Sequence, residues 1–69
     1  MKLYDVLDLI TEYTNVAIIN LEGEYKAFYD GKDSIPELYN YFKVISMETR
    51  RIIYRSKYPK TFIVIRIDF

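Results

Sequence analysis

Cysteine, histidine and tryptophan are all absent from this chain of 69 residues, and the first two absences close whole classes of function. Without Cys there is no disulfide, no thiolate nucleophile and no thiolate metal site. Without His the commonest general base and the commonest zinc ligand are missing. Glycine and proline occur only twice each, so no Gly-rich phosphate loop can be written, and no residue is placed to activate a hydroxyl nucleophile. Catalysis is not expected: no catalytic, cofactor-binding or metal-ligating residue is assigned. Long apolar runs are missing too. The longest strongly apolar stretch, Phe62 to Ile67, is interrupted by Arg66 and falls far short of the roughly 20 residues that span a bilayer. MKLYDVLDLI carries acids within its apolar run and lacks a small-residue cleavage site, so it reads as an amphipathic helix and not as a signal peptide. An intracellular protein with no membrane partner is the expectation.

What the chain does have is apolar and aromatic material in excess of its size. Apolar residues make up 51% and aromatic residues 17%, with eight Tyr. A single domain this small, spanning residues 1–69, buries only about 60% of the surface its unfolded chain exposes. Some rings must therefore face solvent or a partner, and Tyr suits a half-wet contact. With neither disulfide nor metal to reinforce the core, association is the remaining reinforcement, and a homodimer is expected. Net charge is zero but unevenly spread. Residues 1 to 42 hold three Lys against eight acids, whereas residues 43 to 69 hold seven basic residues against Glu48 and Asp68. That split is either an interaction signal or two halves that neutralise one another in the folded body.

Leu3, Val6, Leu7 and Ile10 recur at helical spacing opposite Asp5, Asp8 and Glu12, which predicts a surface helix ending near Thr14 or Asn15. VAIINL and EYKAFY around Glu22-Gly23 predict a hairpin, with Gly23 supplying positive φ. A two-residue turn there would put Val16, Ile18 and Asn20 on one face with Tyr29, Ala27 and Tyr25. Ser34-Ile35-Pro36-Glu37 has the pattern of a capping box, and Ile35, Leu38, Tyr39 and Phe42 follow at helical spacing. A short helix is predicted there, with Ile35, Leu38 and Phe42 against the sheet. Strand-like segments follow from Lys43 to Glu48 and from Arg51 to Arg55. The last runs from Thr61 to Phe69, where Ile63, Ile65, Ile67 and Phe69 alternate with Phe62, Val64, Arg66 and Asp68. The expected fold is α+β: a small antiparallel sheet of four to five strands packed with an N-terminal helix and one short helix.

Two acidic groups invite attention. Asp5, Asp8 and Glu12 share a helix face, and Asp30, Asp33 and Glu37 cluster in a loop, but a solvated face and turn and cap roles account for them. The stretch from Arg50 to Lys60 is more informative. Arg50, Arg51, Arg55, Lys57 and Lys60, with Tyr54 and Tyr58 between them, combine cations with flat rings. That is what a groove for nucleic acid or a contact with an acidic protein requires. Charged residues guarding an exposed sheet edge would look the same. If Arg51 to Arg55 is a strand, Arg51, Ile53 and Arg55 share a face. These seven residues are the candidate partner-binding site.

LYDVLDLI, TNVAII, YDGKDSIPELYN and KVISM, taken together, resemble a family of short, largely uncharacterised proteins encoded by phages and prophages of Gram-positive bacteria, in which a YDGK-SIPE-like segment separates a leading helix and strand from a further strand. The resemblance covers roughly residues 2 to 47 and carries no catalytic residues. It implies a phage accessory protein in the host cytoplasm that binds a host protein and inhibits or redirects it, components of antiviral defence included. A small nucleic-acid-binding protein using the basic C-terminal half is the other reading.

Overall fold

A computed structural model describes all residues, 1–69, as a four-stranded sheet with one short α-helix and two 3-10 turns. The α+β class and the strand number agree with the sequence reading. The helix α1 spans Leu3–Leu7, and the strands are β1 (Val16–Ile19), β2 (Tyr25–Tyr29), β3 (Val44–Ile52) and β4 (Lys60–Ile67). Their order across the sheet is β2-β1-β4-β3. The two outer pairs are antiparallel, whereas β1 and β4 in the centre are parallel, so the sheet is mixed and not purely antiparallel. No helix is long and apolar enough to cross a membrane.

The N-terminal helix is much shorter than its apolar spacing suggests. The Lys32 Nζ donates to the oxygen of its last residue, Leu7 (2.9 Å), and to that of Ile10 in the turn beyond (3.1 Å). Beyond it, bonds of i→i−3 type from Leu9 and Ile10 tighten the chain, and Thr11, Thr14 and Asn15 are weak helix formers. The Thr11 and Thr14 hydroxyls bond each other at 2.8 Å. The expected second helix is absent. In its place are 3-10 turns at Lys32–Ser34 and Glu37–Tyr41, separated by extended backbone at Ile35 and Pro36, and Ser34 makes no capping bond. The extended backbone takes Ile35 out of the turn that holds Leu38, so the predicted stripe breaks. Ile35 still enters the core and Phe42 packs at its edge, but Leu38 is 69% exposed.

The hairpin register is as predicted for Val16, Ala17 and Ile18, which face Tyr29, Phe28 and Ala27. A bulge then intervenes, and Ile19 faces Tyr25. The turn is longer than two residues because Asn20 organises it. Its Oδ1 accepts from the Glu24 N–H and its Nδ2 donates to Glu24 Oε1, both at 2.9 Å. Gly23 sits at φ +86, as expected. One consequence corrects the sequence reading: the bulge moves Tyr25 to the face of Ala17 and Ile19, opposite the face expected for it.

The alternation of β4 divides the core as its sequence implies. Ile65 and Ile67 join Leu3, Val6, Leu7, Val16, Ile18 and Ile35 on the helix side. Phe62 and Val64 join Ala17 and Ile19 on the other. Fully burying each such aliphatic side chain contributes about 2 kcal/mol.

Candidate functional site

β3 is one continuous strand that stops at Ile52, so the segment from Ile53 to Pro59 is a loop and not the expected strand. Arg55 takes a positive φ of 53, which a strand cannot hold. Arg51 therefore does not line up with Ile53 and Arg55 by strand alternation. Cross-strand pairing puts Arg50 opposite Phe62 and Arg51 opposite Thr61, on opposite faces of the sheet.

Two of the seven candidate residues are structural. Tyr54 folds back over the face that lacks a helix and stacks on Phe28, with ring centroids 4.2 Å apart and planes 18° from parallel. Phe28 stacks in turn on Tyr25 at 5.1 Å and meets the buried Phe62 edge-on at 5.8 Å. Arg50 completes this roof. Its Nη1 donates to the Tyr25 hydroxyl at 2.8 Å, its Nη2 pairs with Glu48, and the guanidinium lies 5.9 Å from the Tyr25 ring centre. The bond to Tyr25, and after it the one to Glu48, raises the affinity of this guanidinium for its proton. The second face is thus sealed by side chains from β2, β3 and the β3–β4 loop.

The other five, Arg51, Arg55, Lys57, Tyr58 and Lys60, are exposed around the end of β3, the loop and the start of β4. None of the four cations has an ion-pair partner, Arg50–Glu48 being the molecule's single ion pair. The Arg55 guanidinium lies 5.3 Å from the centre of the Tyr54 ring. Ile53 (64% exposed) and Tyr58 (76% exposed) stand among them. The sequence reading missed Ile53 as a contact residue. Its signal was present: an apolar residue next to a turn whose neighbours are all charged or aromatic.

A second concave region lies at the opposite pole in sequence charge. An open cleft of about 270 Å³ is lined by Tyr4, Asp8, Lys32, Asp33, Glu37 and Asn40, among others. The Asn40 Oδ1 is buried without a hydrogen-bond partner. The predicted acidic triplets do not assemble as such: the helix ends before Asp8, and no group of three or more acidic residues is close enough to hold a metal ion. Tyr29, on the helix side of β2, has its hydroxyl pushed above the ordinary value of 10.0 by burial and secondarily by Tyr39.

Comparison of the chain with protein-family models, with curated proteins and with solved structures gives no match.

Proposed function

We propose that this chain is a non-enzymatic binding protein whose β3–β4 loop docks on an acidic surface of another protein. The observation that carries the reading is the group of four unpaired cations, Arg51, Arg55, Lys57 and Lys60, set around exposed Ile53 and Tyr58. Cations give register and encounter rate against an acidic patch, and the two apolar side chains supply area that can be desolvated at its centre. A loop at the end of a hairpin is free of core packing and tolerates such residues.

Nucleic acid is the weaker reading on this geometry. A single-stranded site needs free ring faces on which bases stack. Tyr54 already stacks on Phe28, which leaves Tyr58 as the one free ring in the loop. The resemblance of the segments around YDGKDSIPELYN to phage-encoded proteins supports a host protein as the partner, with inhibition or redirection of that host protein, a defence component among the candidates, as the outcome.

The test is capture from nuclease-treated lysate of a Gram-positive host, with the parent chain and with a chain carrying Arg51→Glu, Arg55→Glu and Tyr58→Ala. The parent is expected to retain a protein that the folded triple variant does not. Equal retention by both would place the contact elsewhere. Loss of all retention on nuclease treatment, with binding that weakens by orders of magnitude as salt rises, would favour nucleic acid.

A further inference from the structure

We infer that two copies of this chain pair through the free edge of β3, antiparallel about a two-fold axis at Thr49, so that the two sheets become one. The inference starts from which part of that edge is open. At the beginning of β3 the outer side is occupied: the Leu3 N–H donates to the Phe42 oxygen and the Val44 N–H to the Met1 oxygen, while Lys43 bonds Asp68 on the inner side. At the far end the chain leaves the sheet after Ile52. The open stretch therefore runs from Ile45 to Ile52, and its middle falls at Glu48 and Thr49.

The charges on that stretch select Thr49 as the centre. A two-fold axis perpendicular to the sheet keeps each face on its own side, so residues that meet across it point the same way. With the axis at Thr49, Glu48 of each copy stands opposite Arg50 of the other, twice, with Thr49 against Thr49 between them. Both side chains already lie on the Phe62 face and already pair within one chain. Moving the axis by one residue sets Glu48 against Glu48, or Arg50 against Arg50, and like charges directly opposite are destabilising. Charges on an edge strand ordinarily discourage pairing with arbitrary strands. Here the order Glu-Thr-Arg admits its own inverse and rejects its neighbours.

Apolar exposure points the same way. The helix-side core cluster takes in Val44 but leaves β3 beyond it uncovered, with Ile45 at 47% and Met47 at 46% exposure. A shallow groove of about 190 Å³ runs beside Met47, Thr49 and Ile63. In the paired arrangement Met47 meets the aliphatic stem of Arg51 of the second copy, which can lie along that groove, and Ile45 lies at the level where the second copy's loop begins.

Sedimentation of the parent and of charge variants tests the pairing. The parent is expected at twice the 8.3 kDa of one chain at high micromolar concentration. Glu48→Arg, which sets two cations against each other at both pairs, should weaken the dimer roughly tenfold or more. The exchange Glu48→Arg with Arg50→Glu should restore it to within a few-fold. Mixing the two single variants should give a mixed dimer, which reports on pairing even where each alone stays monomeric. Tyr58→Ala, confined to the loop, should leave the dimer unchanged whatever it does to capture of another protein. A monomeric parent, a dimer indifferent to Glu48→Arg, or a weakened dimer that neither the exchange nor the mixture restores would overturn the proposal.

Discussion

The Phe28 ring lies on that of Tyr54 at 4.2 Å, although Phe28 belongs to one edge strand and Tyr54 follows the other. Their stack spans the whole width of the sheet and takes the place of a second helix. Phe28→Ala removes contacts to Tyr25, Tyr54 and Phe62 together and should cost about 2 to 3 kcal/mol. Tyr54→Phe keeps the stack and should be near neutral. Urea denaturation of both variants checks this, and a Phe28→Ala protein as stable as the parent would show that the roof contributes nothing.

Ile35 and Leu38 are separated by the extended backbone at Ile35 and Pro36, which takes Ile35 out of the 3-10 turn that holds Leu38. Ile35→Ala should destabilise by about 2 to 4 kcal/mol because its side chain lies in the core. Leu38→Ala should change stability by less than about 0.5 kcal/mol. Comparable losses from both would mean that residues 35–42 form an α-helix in solution.

The two glycines should fail differently. At Gly31 a Cβ would lie 2.5 Å from the Glu12 carbonyl oxygen, so Gly31→Ala must push two backbone segments apart, at about 1 to 3 kcal/mol. At Gly23 a Cβ would meet only the Arg66 guanidinium, at an ordinary contact distance of 3.6 Å, and φ +86 is the main demand. Gly23→Asn should therefore be tolerated, while Gly23→Val should cost about 1 to 2 kcal/mol. Thermal unfolding of the three variants distinguishes steric from conformational cost.

Tyr29 makes stability fall at alkaline pH. Its folded-state value lies above the ordinary 10.0, so the unfolded chain gives up the proton first. The contribution is intact below 10 and is lost as pH rises through the higher folded value. Comparing the parent with Tyr29→Phe by denaturant midpoint at about pH 9 and about pH 11 isolates this group from the other tyrosines. The parent should lose more stability between the two than the variant does. An equal loss would remove Tyr29 as the cause.

Features governed by one segment were readable from the sequence. β4 was, because both its faces are written in one alternation, and so were the first three hairpin pairs and Gly23. What escaped depends on residues distant in sequence. Lys32 ends α1 from outside it, and the carboxamide of Asn20 sets the turn that flips Tyr25. The basic loop was recognisable by composition. That Arg50 and Tyr54 belong to the roof was not, since it takes Tyr25 and Phe28, on the opposite edge strand, to hold them there.

β4 lies in the centre of the sheet, yet it is the last of the four strands in sequence order. During synthesis, β1 can pair only with β2 until residues 60–67 leave the ribosome, and β3 has only the N-terminal residues beside its start. Until then Val16, Ile18, Leu3 and Val6 have no Ile65 or Ile67 to bury them. A nascent chain of this protein is therefore sticky until β4 emerges, and it closes in one step after that. Stalling the ribosome just before Lys60 emerges should leave the chain open to protease and to hydrophobic chaperones, whereas a stall well beyond Phe69 should not.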